Sequence, residues 1–359
     1  TPYAKLVTQL FGDRMMIANA TGCSSIWGAS APATPYCTNQ EGHGPSWANS
    51  LFEDNAEYGY GMAVASRKVR EKIKLAMEEF LELGLETDLN EGFKAWLEGM
   101  NDARESKNAA GMIIPKLGKD LGNEKANSLV KLIGELKDHL YKRSVWIFGG
   151  DGWAYDIGYG GLDHVIATGE DVNICVFDTE VYSNTGGQAS KSTPTGAIAQ
   201  FAAGGKPIKK KDLGMMAMSY GYVYVAQVAM GANQLQTLKA FKEAEAYPGP
   251  SVVICYSPCI NHGMKGGLTI SKTQEKRAVE CGYWHLYRFN PMLKKEGKNP
   301  FVLDSKEPVE SFKDFLMSEV RYSSLLRKFP KERVDAIFDS AQEASKERYD
   351  SYRRMAAEI

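Results

Sequence analysis

Several features are scarce or absent in this sequence, and each absence narrows the classes of protein to which it can belong. It has no run of about 18 apolar residues, so we expect no membrane-spanning helix. It has no excess of charge of one sign, because 43 basic and 44 acidic side chains leave a formal net charge of -1. That balance gives no electrostatic reason to expect nucleic acid or an anionic membrane as a partner.

The beginning of the chain lacks the marks of a natural start. There is no initiator Met, and the first residues do not combine a basic end with an apolar stretch, as a secretory signal peptide does. We therefore interpret Thr1 as a processing or excision point. Six cysteines in 359 residues do not indicate a disulfide scaffold, so we expect a reducing, cytoplasmic location.

What the sequence does contain divides into four regions. Residues 1–62 end in a stretch rich in Gly, Ser, Pro and Asn, which is typical of a loop. Residues 63–143 carry apolar side chains at helical spacing, which predicts a helical insertion. Residues 144–262 alternate strand-like and helical segments, and charged helical sequence ends the chain. We expect a single domain over residues 1–359 of a longer chain, with a peripheral helical C-terminal arm at 310–359.

The alternating region predicts an α/β fold. Its strand-like runs are SVWIFGG, VNICVFD, YVYVAQV and PSVVICYSP, and helical patterns separate them. Strands separated by helices form βαβ units, so we expect a mostly parallel sheet with helices on both faces. In such sheets, ligands collect at the carboxyl ends of the strands.

The clearest chemical motif is GGDG at residues 149–152, directly after the first of these strands. Glycines let a backbone approach a diphosphate closely, a following helix offers N–H groups to the same anion, and a carboxylate supplies the oxygen that Mg²⁺ prefers. Alone, such a motif is more often an ordinary turn. The next strand, however, ends in the polar loop at residues 177–187. Because one crossover joins the two strands, both loops should open on the same sheet edge and can share one cation.

Together the two loops resemble the GDG…N signature of thiamin diphosphate enzymes. Longer strings narrow the resemblance: GDGWAYDIGYGGLDH, DTEVYSNTGGQASKSTPTGA and YSPCINHG are similar to pyruvate:ferredoxin (flavodoxin) oxidoreductases. The resemblance implies the C-terminal, thiamin diphosphate-binding catalytic domain of that family, in particular the half of the fold that binds the diphosphate.

The resemblance also implies roles for individual residues. Asp151, the hydroxyl of Thr179 and the backbone carbonyl of Val181 would hold Mg²⁺, although the more usual residue at the position of Thr179 is Asn. No catalytic residue is expected in this chain, since the Glu that activates the cofactor in this family comes from a different domain. The residues expected to bind the cofactor are Cys23, Gly150, Asp151, Gly152, Trp153, Thr179, Val181, Tyr182, Ser183 and Asn184.

Two of the cysteines lie where ligands of the sheet should collect. Cys23 follows a strand and a turn at a predicted helix start, where a thiolate is favoured, and Cys259 follows another strand. From the residues alone, two unrelated buried thiols are the more common arrangement, and a zinc site lacks a second pair at zinc spacing. Cys175 and Cys255 lie inside apolar runs, where we expect buried side chains, and we expect a structural role for His262.

By the resemblance, Cys23 and Cys259 would bind a [4Fe–4S] cluster, which takes four thiolates. The family's other two ligands form a Cys-x-x-Cys pair just upstream of a segment like TPYAKL, with which this chain begins. The resemblance therefore implies that this chain supplies part of the ligand set.

The activity that the resemblance implies is the oxidative decarboxylation of pyruvate with coenzyme A to acetyl-CoA and CO₂. Electrons would pass through the cluster to ferredoxin or flavodoxin, in anaerobic metabolism. The implied partners are the other domains of the same parent chain, these substrates and acceptors, and a second copy in a homodimer. Since the activating Glu is expected elsewhere, we expect this chain to be inactive alone.

Two further hypotheses stay open at this point. A non-redox thiamin diphosphate-dependent 2-oxo acid decarboxylase or dehydrogenase subunit would need no cluster, so Cys23 and Cys259 would be replaceable. A non-enzymatic scaffold would bind no cofactor. The intact GDG and the polar second loop argue against the scaffold, because drift would readily replace Asp151.

Overall fold

The fold, in a computed structural model that describes residues 1–357, is built on one eight-stranded sheet. The strands in chain order are β1 (Met15–Ala20), β2 (Ser46–Ser50), β3 (Ser144–Gly149), β4 (Asn173–Asp178), β5 (Tyr224–Val228), β6 (Ser251–Tyr256), β7 (Tyr287–Phe289) and β8 (Phe301–Leu303).

The sheet has the spatial order β2-β1-β3-β4-β6-β5-β7-β8. The six strands from β2 to β5 in this order are parallel, whereas β7 and β8 add an antiparallel edge. The predicted α/β fold with a mostly parallel sheet is confirmed. Strands β2, β7 and β8 were not predicted, because β7 and β8 have only three residues each and β2 lies in the Gly- and Ser-rich stretch.

Thirteen α-helices occur in the described part of the chain. They are α1 (Pro2–Phe11), α2 (Cys23–Ala29), α3 (Asn55–Glu82), α4 (Asn90–Gly99), α5 (Ala103–Ile113), α6 (Glu124–Glu135), α7 (Tyr159–Ala167), α8 (Leu213–Met218), α9 (Gln234–Ala246), α10 (Ser271–Glu280), α11 (Phe312–Met317), α12 (Val320–Ser323) and α13 (Lys331–Ala357). In residues 1–357, none of them combines the length and the apolarity that a membrane crossing requires.

Helices cover both faces of the sheet, and each face has its own hydrophobic core. Successive strand residues alternate between them: Ile17 packs with α1 and α9 on one face, and Ala18 packs with α3 and α7 on the other. Strands β3 to β6 are buried along their whole length. Their nearly continuous apolar sequence follows from this, since a parallel sheet covered on both faces exposes neither set of side chains.

The predicted helical insertion at 63–143 has a third core of its own, which contains Phe80, Phe93 and Trp96. Its first helix, however, begins earlier than the sequence indicated. The first turns of α3 lie on the main sheet, where Asn55 Nδ2 donates to the carbonyl of Phe148 at 3.1 Å. Helix α3 therefore packs on the main sheet with its first turns and in the helical insertion with the rest, and it connects the two.

The C-terminal helix α13 differs from the peripheral arm that we expected. One face of α13 contributes to the main core through Val334, Phe338 and Tyr352, whose ring centroid lies 4.8 Å from that of Tyr287 on β7. The buried positions recur every three or four residues among many charged ones. These buried positions form a narrow stripe along the helix. Because most residues of the segment are charged or polar, the stripe was not recognised in the sequence.

The order of the strands defines where a ligand should bind. From β1 the chain crosses to β2 on one side, and later returns to β3 on the other side. In parallel sheets the crevice outside such a reversal point, at the carboxyl ends of the strands, is the usual ligand site. The loops that follow β1, β3, β4 and β6 open there, because these four strands are neighbours.

Candidate cofactor and metal site

The predicted site residues come from the four neighbouring strands that end at this crevice. Cys23 begins α2 after β1, and the GGDG motif follows β3. Thr179 to Asn184 follow β4, and Cys259 comes shortly after β6. The structure thus brings together residues that are far apart in the sequence, at one edge of the sheet.

The centre of the site is the carboxylate of Asp151, which is only 3% exposed. The backbone N–H groups of Thr179 and Glu180 each donate to it at 3.1 Å. The hydroxyl oxygen of Thr179 lies 2.5 Å from Asp151 Oδ2 and 3.0 Å from the carbonyl oxygen of Val181. The two loops therefore touch, as a shared cation requires.

The chemistry of these oxygens fits a divalent metal ion. A hydroxyl has one proton, so Thr179 can donate to only one of its two oxygen neighbours at a time. A carboxylate, a hydroxyl and a carbonyl are therefore gathered in one place, and all are oxygen donors of the kind that Mg²⁺ takes. Within residues 1–357 no group of three or more His, Cys, Asp and Glu side chains could hold a metal ion. Of the three oxygen groups at this site, only Asp151 contributes a carboxylate.

Burial makes the negative charge of the Asp151 carboxylate energetically unfavourable. Burial, with a smaller contribution from the nearby Asp178, raises the pKa of Asp151 to about 8. The hydrogen bond from Thr179 acts in the opposite direction but does not outweigh burial. A cation beside this carboxylate would offset the unfavourable burial of its charge.

Two glycines of the motif are required by close packing. A Cβ at Gly149 would lie 2.3 Å from the ring of Trp153, and one at Gly152 would lie 2.5 Å from the ring of Tyr182. A Cβ at Gly150, in contrast, would approach no atom closer than the carbonyl oxygen of Phe177 at 3.7 Å. Gly152 thus lets the second loop lie directly over the first.

The remaining predicted cofactor residues differ in their accessibility. Trp153 is 1% exposed and packs in the main core, so the structure gives it a packing function, and its contact with a cofactor stays a prediction. Tyr182 and Ser183 are partly buried, and Asn184 is exposed at the tip of the loop. Gly187 N donates to the carbonyl of Tyr182 at 2.8 Å, which closes this tip into a tight turn.

The two predicted cluster cysteines are connected through Ser183 and Asn261. The sulfur of Cys23 is 3.1 Å from the hydroxyl oxygen of Ser183. Asn261 donates to the carbonyl of Ser183 at 3.3 Å and, through its backbone N–H, to the sulfur of Cys259 at 3.4 Å. Burial raises the pKa of Cys259, and the neighbouring Cys23 adds to the effect. The described residues thus offer two thiols to one crevice, which is half of what a [4Fe–4S] cluster takes.

The other cysteines do not join them. Cys175 and Cys255 are fully buried in β4 and β6 with their sulfurs 3.7 Å apart, which confirms the expectation from their apolar runs. Cys37 is exposed in a loop, and Cys281 is buried at the end of α10.

Sequence reasoning missed a group of buried charged residues behind the loop after β4 (residues 179–187), which carries two of the predicted metal ligands and is called the metal loop below. Glu180, Lys210 and Arg321 lie here with 6% or less of each side chain exposed. Lys210 contacts Asp178 at 2.7 Å, and Arg321 contacts Glu319 at 2.7 Å. No sequence motif or periodicity predicts such a group, because its members come from separate loops and short helices.

The charges of this group are mutually compensated. Burial alone would raise the pKa of Glu180, but Lys210 and Arg321 outweigh it and lower the pKa of Glu180 to about 2. His262, for which a structural role was expected, is fully buried with Nε2 2.7 Å from the carbonyl oxygen of Thr179. Burial lowers the pKa of His262. It therefore contacts the backbone of the metal loop from behind.

Comparison with known proteins agrees with this geometry. Residues 130–255 match the family model described as thiamine pyrophosphate enzyme, C-terminal TPP binding domain. The match includes the GGDG motif and the metal loop with the strands that carry them. The chain thus contains the cofactor-binding domain of a thiamin diphosphate enzyme.

Curated relatives indicate which thiamin diphosphate enzymes the chain is similar to. The chain is 59% identical over 359 residues to the pyruvate-flavodoxin oxidoreductase of Klebsiella pneumoniae and 57% identical over 358 residues to the pyruvate:ferredoxin oxidoreductase of Moorella thermoacetica. It is 55% identical to the pyruvate-flavodoxin oxidoreductase of Enterobacter agglomerans. These matches cover 99% to 100% of the chain but 30% of each relative. The chain is thus similar over its whole length to pyruvate:ferredoxin (flavodoxin) oxidoreductases, and it spans about a third of the length of these relatives.

One solved structure is similar to this chain, and the match covers 72% of this chain and 62% of the chain in that structure. It is a 2-oxoglutarate:ferredoxin oxidoreductase from Magnetococcus marinus with 2-oxoglutarate, coenzyme A and succinyl-CoA bound. The TM-score is 0.42 and the sequence identity 14%, so this likeness is too weak to bear on the chemistry of the present chain.

Proposed function

We propose that this chain is the part of a pyruvate:ferredoxin (flavodoxin) oxidoreductase that anchors the diphosphate of thiamin diphosphate and its Mg²⁺. The reaction of the whole protein would be the oxidative decarboxylation of pyruvate, or of a closely related 2-oxo acid, with coenzyme A as acyl acceptor. The observation that carries the proposal is the contact of Asp151, Thr179 and Val181 at the tips of two neighbouring strands.

The proposal assigns a binding function to each of the two loops that meet at this contact. Asp151, the Thr179 hydroxyl and the Val181 carbonyl would bind Mg²⁺, and the backbone near Gly150 and Gly152 would lie against the diphosphate. The backbone N–H groups that begin the helical turn after β3 favour an anion in this place. Thiamin diphosphate, when bound, supplies the electron sink that decarboxylation of a 2-oxo acid needs.

Cys23 and Cys259 would provide two thiolates to a [4Fe–4S] cluster beside the cofactor. Ser183, which contacts Cys23 directly and is connected to Cys259 through Asn261, lies in the same loop as the predicted cofactor residues Tyr182 and Asn184. A cluster held there would be adjacent to the cofactor, as transfer of single electrons requires. The remaining two thiolates would come from outside residues 1–357.

The proposal assigns the rest of the reaction to other parts of the protein. The activating Glu would come from another domain of the same parent chain, and ferredoxin or flavodoxin would accept the electrons. A cytoplasmic homodimer is the proposed assembly. The length of the relatives supports further domains, because this chain accounts for 30% of each of them.

The test is the substitution Asp151→Asn in the full-length protein. We expect Mg²⁺-dependent binding of thiamin diphosphate to weaken at least about 100-fold, because a divalent cation loses its only carboxylate ligand in this site. Isothermal titration calorimetry measures the affinity, and pyruvate- and coenzyme A-dependent reduction of ferredoxin measures the activity. Asp163→Asn on α7 is the matched control.

The outcomes separate the alternatives. Binding of equal strength in wild type and Asp151→Asn contradicts the proposed metal site. A wild-type protein that binds the cofactor and decarboxylates pyruvate but contains no iron contradicts the redox part and supports a non-redox decarboxylase or dehydrogenase subunit instead.

A further inference from the structure

The backbone of the metal loop turns sharply at a residue that is not a glycine. Glu180 stands between Thr179 and Val181 with a φ of 60°, in the left-handed region. Residues with a Cβ rarely adopt this conformation, since it brings the Cβ close to the backbone. Some interaction must therefore hold Glu180 in place.

The turn at Glu180 is what aims the loop at Asp151. Because of it, two successive N–H groups, those of Thr179 and Glu180, reach the Asp151 carboxylate at 3.1 Å each. On the far side of the turn the carbonyl oxygen of Val181 comes within 3.0 Å of the Thr179 hydroxyl. A loop that relaxed at Glu180 would separate the three proposed Mg²⁺ ligands.

The side chain of Glu180 points away from this set of oxygens and into the protein, where it is held from three directions. Arg321 of α12 donates to it at 2.8 Å, and Tyr283 donates its hydroxyl proton at 2.6 Å. Lys210, in the segment before α8, donates at 3.2 Å. The carboxylate is 1% exposed, so these contacts are barely screened by water.

The residues that hold Glu180 are themselves fixed. Arg321 also donates to Glu319 at 2.7 Å, and Gln274 of α10 donates to Glu319 at 2.9 Å. Lys210 donates to both oxygens of Asp178, at 2.8 and 2.7 Å. The group thus connects the loop after β4 to the segment around α12, and it leaves no freedom for the Glu180 side chain.

We propose that Glu180 is a positioning residue, which holds the metal loop in its binding conformation through Arg321, Lys210 and Tyr283. It contacts neither the metal nor the cofactor, and it acts through the backbone of Thr179 and Val181. This inference rests on the proposed function, because it concerns the same Mg²⁺ site.

The experiment is Glu180→Gly in the full-length protein, with Mn²⁺ as the probe. Glycine adopts a φ of 60° without strain, so the substitution removes the ion pairs and spares the backbone. Electron paramagnetic resonance of free Mn²⁺, titrated in the presence of saturating thiamin diphosphate, gives the metal affinity. We expect an affinity at least about tenfold weaker than that of the wild type. A loop that keeps its own shape would bind Mn²⁺ as tightly as before.

Two further variants make the result decisive. Tyr283→Phe removes one hydrogen bond to Glu180 and should weaken Mn²⁺ binding in the same direction by less. Asp304→Asn breaks a comparable ion pair, with Arg288 at 2.9 Å on the antiparallel edge of the sheet, and should lower the melting temperature without changing Mn²⁺ affinity.

Each outcome has one meaning. Unchanged Mn²⁺ affinity in Glu180→Gly overturns the inference, and Tyr283→Phe alone decides if the glycine variant fails to fold. An equal loss of affinity in Asp304→Asn also overturns it, since the effect would then follow from general destabilisation. A wild-type protein that binds no Mn²⁺ with thiamin diphosphate contradicts the proposed function itself.

Discussion

The sulfur of Cys23 lies 3.1 Å from the hydroxyl oxygen of Ser183, although 160 residues separate them in the sequence. This contact joins the start of α2 to the loop after β4. Asn261 connects the same Ser183 to the neighbourhood of Cys259. The two thiols therefore lie at one site with the loop after β4, which leads to the first prediction.

Replacing either thiol should remove the proposed cluster. In the full-length protein, Cys23→Ser and Cys259→Ser should each abolish most of the bound iron and the visible absorbance of an iron–sulfur centre, because four thiolates hold such a cluster. Iron analysis and absorption spectra measure the loss. Cys37→Ser, in an exposed loop, is the control and should keep the wild-type iron content. Full iron content in Cys23→Ser would exclude Cys23 as a ligand.

A methyl group at Gly152 should disturb the cofactor site through Tyr182. The added Cβ would lie 2.5 Å from the Tyr182 ring, so the second loop has to move away from the first. We expect a destabilisation of about 1–3 kcal/mol, typical of overpacking, and a loss of thiamin diphosphate affinity of at least about tenfold. Calorimetry measures both quantities.

The matched control for this substitution is Gly160→Ala on α7. A Cβ there would meet nothing within 4 Å, and alanine favours a helix more than glycine does. Its affinity for the cofactor should be that of the wild type. If Gly152→Ala behaves in the same way, the close approach to Tyr182 has no bearing on binding.

His285 should make the fold sensitive to acid. Burial, together with the nearby Arg348, lowers the pKa of His285 from 6.5 to about 3. Below pH 6.5 the unfolded chain takes up a proton at this position that the folded chain cannot take until about pH 3. The free energy of unfolding should thus be unaffected by His285 above pH 6.5 and fall by about 1.4 kcal/mol per pH unit below it.

The measurement is urea unfolding at pH values from about 7.5 to 5 for the 359-residue chain and its His285→Phe variant. The phenyl ring can occupy the same aromatic environment, 5.2 Å from the ring of Tyr349, and carries no proton. The variant should lose less stability between pH 6.5 and 5 than the wild type. Parallel pH curves would show that His285 is not responsible.

The isolated chain should not catalyse the decarboxylation of pyruvate. We expect the purified 359-residue chain to release no CO₂ from pyruvate above background, because the activating Glu and two of the cluster ligands are proposed to lie outside it. The full-length protein under the same conditions is the positive control. Sustained turnover by the isolated chain would show that it contains a complete active site.

The sequence predicted the parts of the fold whose residues carry strong local signals. The apolar runs of β3, β4 and β6 are buried on both sides, and their loops contain the GGDG motif and Asn184 in a recognisable order. Cys23 begins a helix as expected. One crossover between parallel strands places their tips side by side, so the sequence predicted that the two loops open at one sheet edge. The choice of Asp151 and Thr179 came from the family resemblance, and their binding of a metal stays a prediction.

Other features could not be read from the sequence for physical reasons. Strand β2 consists of Ser, Trp, Ala, Asn and Ser, which have no common strand preference, and its place in the sheet is set by pairing with β1. The position of β6 between β4 and β5 depends on packing between distant segments. Glu180 and Arg321 look like ordinary surface charges in the sequence, and only the tertiary fold makes them partners.

The distance along the chain between Glu180 and Arg321 has a consequence for biosynthesis. Proteins emerge from the ribosome with the N-terminus first, at roughly 5–20 residues per second. The 141 residues between the two partners correspond to roughly 7–30 s of translation, and the last of the six parallel strands, β6, is made within this interval. A nascent chain that ends between Tyr256 and Arg321 contains all six parallel strands but lacks the arginine that contacts Glu180. The order of synthesis therefore postpones the contacts that hold the Glu180 side chain until nearly the whole of this segment has been made.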